Sequence, residues 1–258
     1  MNLGIENKIA LITGGSRGLG RASALALAKE GVKVAICART ADALESTVEE
    51  LRDLSGAALG VVADIMAPEA ATQIHQQVVD GLGPVDILVN NVGGVLSRTN
   101  FEGTSPEDFK RTFDLNVFSA FELCKLTVPH MKAQGWGRII NISSIFGREY
   151  GGVISYMSAK AAMIAASKHL ALELAPHGVT VNSVAPGSIL FPGGVWDRFQ
   201  KTQSPETVQK FIEQNLPSGK FGGPEPIGDT VAFLASQNAW LITGTCINVD
   251  GGQSRSLI

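Results

Sequence analysis

Tyr156 and Lys160 are the two residues whose type and spacing first point to chemistry. They lie four positions apart in a segment with helical apolar spacing, so both side chains lie on one face, with the ammonium group near the phenol. A free phenol has a pKa of about 10, and a neighbouring positive charge lowers that pKa towards neutrality. The pair predicts that Tyr156 transfers protons as a general acid or base. A packed tyrosine beside a surface lysine is the structural alternative.

A glycine-rich segment follows the first predicted strand and leads into a helical segment. It reads Thr13-Gly14-Gly15-Ser16-Arg17-Gly18-Leu19-Gly20. Because Gly14, Gly18 and Gly20 have no side chains, the backbone can approach a pyrophosphate, and the helix start offers free N–H groups and a positive dipole end. A tight turn that only serves packing is the alternative, but its place after the first strand of an α/β chain favours a dinucleotide site.

The end of the second predicted strand carries a cation where NAD sites usually carry an acid. About 20 residues after the glycine turn, that acid binds the ribose 2′-hydroxyl; here Arg39 occupies its place. Arg39 can pair with a 2′-phosphate, and Arg17 can supply a second positive group. We therefore predict that NADP(H) is preferred. Asp42 can reach back to the ribose, so use of NAD(H) stays open, and a solvated Arg39 is the structural alternative.

These residues need an architecture that positions them, and the chain alternates strand-length apolar runs with segments of helical periodicity. The predicted strands are 8–13, 33–38, 59–63, 86–90, 138–143, 179–185 and 246–249. The predicted helices are 19–29, 41–54, 69–81, 106–132, 155–175 and 224–235. The strands are nearly continuous apolar runs, so both faces of the sheet should be covered. We predict an α/β fold of Rossmann type, a doubly wound, seven-stranded parallel sheet with helices on both faces.

We predict a single domain over residues 1–258, because no linker, repeat or shift in composition divides the chain. The stretch 187–223 breaks the alternation with glycines, prolines and aromatic residues. It is too long for an ordinary connection. We predict that it is a flexible substrate flap.

Length and composition exclude several classes of protein. The chain has 258 residues, of which 45% are hydrophobic and 17% charged, which is enough apolar material for a folded core. A net charge of −3 gives no positive field for nucleic acid. Three widely spaced cysteines and four scattered histidines predict neither disulfides nor a metal site. With no secretion signal or membrane-length apolar run, we expect a cytoplasmic protein without a nucleic-acid or membrane partner.

An ordered set of motifs resembles the short-chain dehydrogenase/reductase family and extends over nearly the whole chain. The set comprises Thr13-Gly14-xxx-Gly18-x-Gly20, Asn90-Asn91-Val92-Gly93, Asn116, Ser143-Ser144, Tyr156-xxx-Lys160 and Pro186-Gly187. Each motif is weak alone, but the ordered set is specific. Val92 departs mildly from the family, in which alanine is commoner there. The chain resembles 3-oxoacyl-ACP reductase-like members in particular.

The resemblance implies hydride transfer between a nicotinamide ring and a carbon that bears oxygen. Tyr156 would move the proton, Ser144 would bind the substrate oxygen, and Asn116 would hold a water that relays protons from Lys160. The spacing to Tyr156 leaves Ser143 as a rival of Ser144. The predicted cofactor-binding residues are Gly14, Ser16, Arg17, Gly18, Leu19, Gly20, Arg39, Asp64, Ile65, Asn91, Gly93, Tyr156, Lys160, Pro186, Gly187 and Ile189.

Aromatic residues near the catalytic serine and in the flap predict a free apolar or aromatic ketone or alcohol as the small-molecule substrate. The predicted lining residues are Phe146, Tyr150, Phe191 and Trp196, the last of which could equally serve subunit packing. Arg148 and Glu149 could add polar selectivity.

Two other functions stay open. One is reduction of a 3-oxoacyl thioester on ACP or CoA, although Gly135 and His177 stand where reductases of that kind carry basic docking residues. The other is a non-catalytic dinucleotide-binding sensor. The resemblance also implies a homotetramer, paired through the helix that carries Tyr156 and its long neighbour.

Overall fold

The sheet follows the alternating pattern of the sequence. The structure, a computed structural model, describes residues 1–96 and 100–257. Within these residues, seven strands form one sheet in the order β3-β2-β1-β4-β5-β6-β7, with all neighbours parallel. The strands are β1 (Ile9–Thr13), β2 (Lys33–Ala38), β3 (Ala58–Val62), β4 (Ile87–Asn90), β5 (Gly137–Ile142), β6 (Val179–Pro186) and β7 (Cys246–Val249). The predicted fold class is confirmed.

Helices cover both faces of this sheet. They are α1 (Gly18–Lys29), α2 (Ala41–Ser55), α3 (Ala70–Gly81), α4 (Pro106–Phe113), α5 (Ser119–Gln134), α6 (Ile154–Leu174), α7 (Val195–Thr202), α8 (Pro205–Asn215) and α9 (Glu225–Ala235). One buried core joins α1, α2 and α9 to the sheet, and a second joins α3, α5 and α6. Among the described residues, no helix combines the length and the apolarity that spanning a membrane requires.

Strand β1 shows why its sequence is apolar throughout. Ala10 and Ile12 belong to the first core, whereas Ile9 and Leu11 belong to the second. Successive side chains of a strand point to opposite faces, so a sheet covered on both faces needs apolar residues at every position. The strand ends either match the predicted ones or differ from them by one residue. For example, β1 begins after Lys8, whose backbone N–H instead donates to the Ile5 carbonyl at 3.2 Å.

The helix predicted over 106–132 is present, but it is not regular, because α4 and α5 follow each other through a turn of a different kind. A π-helical turn, Asp114–Phe118, joins them. Asn116 lies in the middle of this turn, and its amide donates to the Thr112 carbonyl at 2.8 Å. Such wider turns are rare and often occur at functional sites. The apolar spacing alone could not reveal the turn, since one extra residue barely disturbs a helical pattern.

The stretch 187–223 contains two helices, α7 and α8. An aromatic cluster holds them together, made of Trp196, Phe199, Phe211 and Phe221. The ring centroids of Trp196 lie 5.6, 4.7 and 5.3 Å from those of the other three. At the base, the Leu190 N–H donates to the Gly222 carbonyl at 2.8 Å. The flexibility of this flap stays a prediction.

Candidate functional site

The crevice between the ends of β1 and β4 is where the order of strands reverses, the usual ligand position in such sheets. Thr13 ends β1, and its hydroxyl oxygen accepts the backbone N–H groups of Asn91 and Val92, each at 2.9 Å. The Asn91 side chain in turn donates to the Thr13 carbonyl at 2.8 Å. These bonds tie the loop after β4 to the loop after β1 and set the floor of the crevice.

The glycine turn after β1 forms a cradle that side chains would fill. Gly14 and Gly18 have φ angles of 66° and 55°, in the region that favours glycine. A Cβ added at Gly20 would lie 2.3 Å from the Gly14 carbonyl oxygen. Helix α1 begins at Gly18, so its free N–H groups point into this turn. Ser16 and Leu19 belong to the same turn. The cradle fits a pyrophosphate.

Two cations lie at the rim of the cradle. Arg39 follows β2 and is exposed, and Arg17 precedes α1 and is also exposed. The N–H groups of Gly14 and Gly15 donate to the Cys37 carbonyl at 2.9 and 3.2 Å, so the end of β2 is joined to the glycine turn. These positive groups fit a phosphate on the adenosine ribose.

The loop after β3 lies beside the end of β2, since the Ala63 N–H donates to the Ala38 carbonyl at 2.9 Å. Asp64 is exposed, and its carboxylate accepts the Met66 N–H at 3.1 Å, which shapes the turn. Ile65 is buried in the second core and anchors that turn to the sheet. Both residues are predicted to bind the cofactor, and both lie in the turn after β3.

Gly93 brings two predicted catalytic residues together. A Cβ added at Gly93 would lie 2.6 Å from Asn116 Oδ1 and 2.8 Å from Lys160 Nζ. Asn116 also forms two hydrogen bonds with the backbone of Gly94. Its Oδ1 accepts the Gly94 N–H and its Nδ2 donates to the Gly94 carbonyl, both at 3.0 Å. The glycine is therefore needed for close approach, and the π-helical turn positions Asn116 against it. Gly94 was not among the residues predicted from the sequence.

The end of β6 forms the opposite wall. Pro186 is the last residue of this strand, and the Gly187 N–H donates to the Val249 carbonyl at 3.3 Å. Ile189 is buried in the first core and pairs with Gly222 at the base of the flap. These predicted cofactor-binding residues therefore lie together at the carboxyl end of β6.

The residues predicted to be catalytic meet at the start of α6. Tyr156 lies in the first turn of the helix, and Lys160 lies one turn further on. The Ser144 and Tyr156 side chains are hydrogen-bonded. Lys160 Nζ lies 5.7 Å from the centroid of the Tyr156 ring and donates to the Ile142 carbonyl at 2.8 Å. The structure thus brings the predicted phenol, ammonium group and serine hydroxyl together.

The two rival serines have different neighbours. Ser143 is buried, and its hydroxyl donates to the Lys160 backbone carbonyl at 3.1 Å. The Ser144 oxygen accepts the Phe146 N–H at 3.2 Å in addition to its bond with Tyr156. Side chains at successive positions of a strand end point in opposite directions. Ser144 therefore faces the phenol, whereas Ser143 faces the helix backbone.

Burial dominates the electrostatics of the pair. Lys160 is 2% exposed, and burial lowers its pKa to about 7. Burial also raises the pKa of Tyr156, which the hydrogen bond with Ser144 only partly offsets. The expectation that Lys160 lowers the pKa of Tyr156 is wrong for the chain by itself. The physical reason is that a lysine with a pKa of about 7 carries only part of its charge at neutral pH and loses the rest above it.

A cleft of about 530 Å³ lies beside the Ser144 loop. Its walls are Phe146, Glu149, Tyr150, Asn215, Gln253, Arg255 and Ser256. The Phe146 ring packs under the following loop, since a Cβ added at Gly151 would lie 2.3 Å from it. Tyr150 is 95% exposed at the mouth. Two of the four predicted substrate-lining residues therefore lie in this cleft.

The structure does not place Phe191 and Trp196 in that cleft. Phe191 lies on the glycine turn, where a Cβ added at Gly18 would meet its ring at 2.7 Å, and it lines a second cleft beside α1 with Arg17. Trp196 packs in the aromatic cluster of the flap. Both aromatic rings are used for packing within the chain, which periodicity could not distinguish from substrate contact.

Arg148 and Glu149, expected to select substrates, hold the carboxyl-terminal part of the chain. Arg148 donates to the Cys246 carbonyl at 2.6 Å and to Asn248 Oδ1 at 2.7 Å. The Glu149 carboxylate accepts the Arg255 N–H at 2.7 Å. Their contacts indicate that they anchor this part of the chain, in place of the expected role in polar selectivity.

The carboxyl-terminal segment lines the cleft beside the Ser144 loop, which was not predicted from the sequence. Besides Arg255, Glu149 binds the N–H of Ser256 at 2.9 Å. Gln253 accepts the Ser188 N–H at 2.7 Å. No local pattern could have revealed these contacts, because Glu149 and Arg255 lie 106 positions apart.

Comparisons with known proteins agree with this site. The model of the short chain dehydrogenase family matches residues 8–202. The (2S)-[(R)-hydroxy(phenyl)methyl]succinyl-CoA dehydrogenase subunit BbsD of Thauera aromatica is 37% identical over 256 residues, 98% of each chain. L-sorbose reductase from Gluconobacter frateurii, solved with NADPH and L-sorbose, is 32% identical with a TM-score of 0.93 over 100% of both chains.

A solved 7α-hydroxysteroid dehydrogenase, complexed with NADH and 7-oxo glycochenodeoxycholic acid, is 33% identical, with a TM-score of 0.89 over 100% of this chain and 98% of that one. The 7α-hydroxysteroid dehydrogenase of Escherichia coli K12 is 34% identical over 262 residues. Family model, relatives and solved structures all cover the glycine turn and the Tyr156 and Lys160 pair. The chain therefore belongs to the short-chain dehydrogenase family of oxidoreductases.

Proposed function

We propose that this chain interconverts a ketone and a secondary alcohol, with NADP(H) as the hydride carrier. The observation that carries the proposal is the hydrogen bond between Ser144 and Tyr156 with Lys160 one helical turn away. A hydroxyl pair of this kind can bind one oxygen atom and transfer one proton to it. The glycine turn after β1 lies at the same crevice.

The residues of the crevice fit a nicotinamide dinucleotide. The turn at Gly14, Gly18 and Gly20 would hold the pyrophosphate, and the end of β6 would hold the nicotinamide. Asp64 would contact the adenine. When bound, the cofactor supplies the hydride that the reduction needs. The protein would contribute binding, orientation and proton transfer.

The chain's own residues manage the proton and the substrate oxygen. Tyr156 gives its hydroxyl proton to the oxygen during reduction and takes it back during oxidation. Its raised pKa keeps the phenol protonated at neutral pH, which suits the donor role. Ser144 orients that hydroxyl and donates a hydrogen bond to the same oxygen. Lys160, with a pKa of about 7, exchanges protons at neutral pH, and Asn116 beside it would hold a relaying water.

Arg39 supports a preference for NADP(H). It is an exposed cation at the end of β2, joined to the glycine turn through the Cys37 carbonyl. The similar L-sorbose reductase was solved with NADPH and the similar steroid dehydrogenase with NADH, so the comparison favours neither cofactor. In the variant Arg39→Gln, we expect the KM for NADPH to rise about tenfold or more, while the KM for NADH stays within a few-fold. Equal loss with both cofactors would contradict the assignment.

We propose that the substrate is a free ketone or alcohol with an apolar or aromatic part. The cleft beside Ser144 is partly aromatic, with Phe146 and Tyr150 in its walls. A second candidate is an acyl thioester, favoured by the similarity to a succinyl-CoA dehydrogenase subunit. A steady-state screen of aliphatic ketones, aromatic ketones and acetoacetyl thioesters, with NADPH and with NADH, distinguishes the two.

Three variants test the reaction itself. Tyr156→Phe should lower kcat by roughly 10²- to 10⁴-fold while NADPH affinity, measured by its fluorescence, is retained. Ser144→Ala should lower kcat strongly as well, whereas its matched control Ser143→Ala should not, because that hydroxyl binds a backbone carbonyl. Full activity of Tyr156→Phe would refute the proposed role and leave a dinucleotide-binding sensor as the better description.

We also propose a cytoplasmic homotetramer. The long helix α5 and the π-helical turn before it expose Phe121 and Phe118 by 48% and 50%, and α6 exposes Leu172 by 67%. Apolar residues on neighbouring helices suit burial between subunits. Light scattering after size exclusion should give four times the chain mass; a monomer would contradict this. The cysteines are free thiols, which suits a reducing compartment.

A further inference from the structure

We propose that Arg255 is a specificity-determining residue that binds a carboxylate group of the substrate. The proposal rests on the proposed function, since it assigns the substrate class of that same site. It concerns the cleft of about 530 Å³ beside the Ser144 loop, which Arg255 lines. The substrate would therefore be a keto acid or hydroxy acid and not a neutral ketone.

The first observation is which charged side chains line the cleft and which of them are already hydrogen-bonded. Of the residues that line it in the described part of the chain, Glu149 and Arg255 are the charged ones. The Glu149 carboxylate accepts three hydrogen bonds, from the Ser254 hydroxyl at 2.9 Å and from two backbone N–H groups. This carboxylate is therefore already hydrogen-bonded to neutral donors of the carboxyl-terminal segment. No residue in 1–96 or 100–257 pairs with the Arg255 guanidinium, so Arg255 is the charged group of the cleft that is free to bind a ligand.

The second observation is the position of Arg255 relative to the loop that follows Ser144 and to the end of β6. Glu149 lies in the loop between Ser144 and Tyr156, and it holds the Arg255 N–H at 2.7 Å. On the other side, Gln253 holds the Ser188 N–H at 2.7 Å, next to the end of β6. The backbone that carries Arg255 is thus bound to both walls of the site. A cation on a pinned backbone loses less freedom when it binds a ligand.

The chemistry of the guanidinium selects the ligand. Arginine presents a planar fork of N–H donors that matches a carboxylate through two parallel hydrogen bonds. A single unpaired cation balances one negative charge, which suits a carboxylate better than a dianionic phosphate. The neighbouring Phe146 and Tyr150 rings suit the apolar part of such a molecule. In an aryl or alkyl keto acid, the carboxylate can pair with Arg255 and the apolar part can pack against the two rings.

The test is equilibrium binding, which needs no turnover. The probes are 4-oxo-4-phenylbutanoate, 5-oxo-5-phenylpentanoate and 6-oxo-6-phenylhexanoate, which differ in the distance between ketone and carboxylate. Each acid is compared with its neutral methyl ester. Titration calorimetry of the full-length protein with NADP⁺ present should show at least one acid binding about tenfold or more tightly than its ester. In Arg255→Gln, that ratio should fall to about one, and Arg255→Lys should restore part of it.

The matched control is Arg52→Gln, an exposed arginine on α2 at the far edge of the sheet, which should keep the wild-type ratio. An unchanged ratio in Arg255→Gln, or no preference for any acid in the wild type, would overturn the proposal.

Reduction of the same probes with NADPH is followed in parallel. Acid binding through Arg255 without reduction would refute the proposed reaction alone. Reduction of acid and ester alike, unaffected by Arg255→Gln, would refute the carboxylate site alone.

Discussion

The buried ammonium group of Lys160 makes the stability of the protein depend on pH in a calculable way. Burial lowers its pKa from 10.5 to about 7. Between these values the unfolded chain binds the proton and the folded chain does not, so the free energy of unfolding rises with pH. Below pH 7 both states are protonated and the full cost of burying the charge is present. That cost is relieved as pH rises towards the unfolded pKa.

The substitution Lys160→Met removes the titrating group and keeps a similar length. Each pH unit inside the window changes the free energy of unfolding by at most about 1.4 kcal/mol. Because folded Lys160 is still partly charged at pH 7, the change from pH 7 to pH 9 comes to about 2 kcal/mol. The wild type should gain this amount relative to the variant. The lost hydrogen bond to the Ile142 carbonyl adds an offset that does not depend on pH.

Urea denaturation followed by tryptophan fluorescence, at pH 7, 8 and 9 and at one protein concentration without cofactor, measures this gain. Lys168→Met removes an exposed lysine from the same helix and serves as the control. A constant difference between wild type and Lys160→Met across this range would show that Lys160 titrates at its ordinary pKa. In that case the argument from burial, and with it the proton exchange proposed for Lys160 at neutral pH, is refuted.

Three further outcomes follow from the contacts. Gly20→Ala should lower the free energy of unfolding by roughly 1–3 kcal/mol, since the new Cβ would lie 2.3 Å from the Gly14 carbonyl oxygen; unchanged urea denaturation would contradict this. Trp196→Ala should speed proteolysis within the flap while Trp196→Phe should not, because ring packing holds α7 and α8 together; equal cleavage rates would argue against it. Glu149→Gln should speed amide hydrogen exchange at Arg255, whose N–H it binds; wild-type protection there would refute that anchoring.

Local patterns in the sequence were sufficient for the fold class. A strand covered on both faces must be apolar along its length, and β1 shows this in the division of residues 9–12 between two cores. The glycine turn was also predictable, because close backbone approach admits few residue types other than glycine. Helix α6 was predictable to within one residue at each end. In each case the cause lies within a few neighbouring residues.

The π-helical turn at Asn116 and the two helices of the flap were not predictable in the same way. A single extra residue in a helical turn leaves the apolar spacing of 106–132 nearly intact, so one helix was expected. The aromatic residues of the flap could serve a substrate or a core. Only the contacts of Trp196 with Phe211 and Phe221 assign them to packing.

Residue types and their spacing were enough to predict the sheet, the cradle and the phenol, amine and hydroxyl groups, because spacing along a strand or helix sets which side chains share a face. The protonation of these groups and the wall of the cleft depend on contacts between distant parts of the folded chain. Burial, not spacing, raises the pKa of Tyr156 and lowers that of Lys160. Glu149 and Arg255 meet only after 106 positions of chain have folded between them, and no local pattern encodes such a contact.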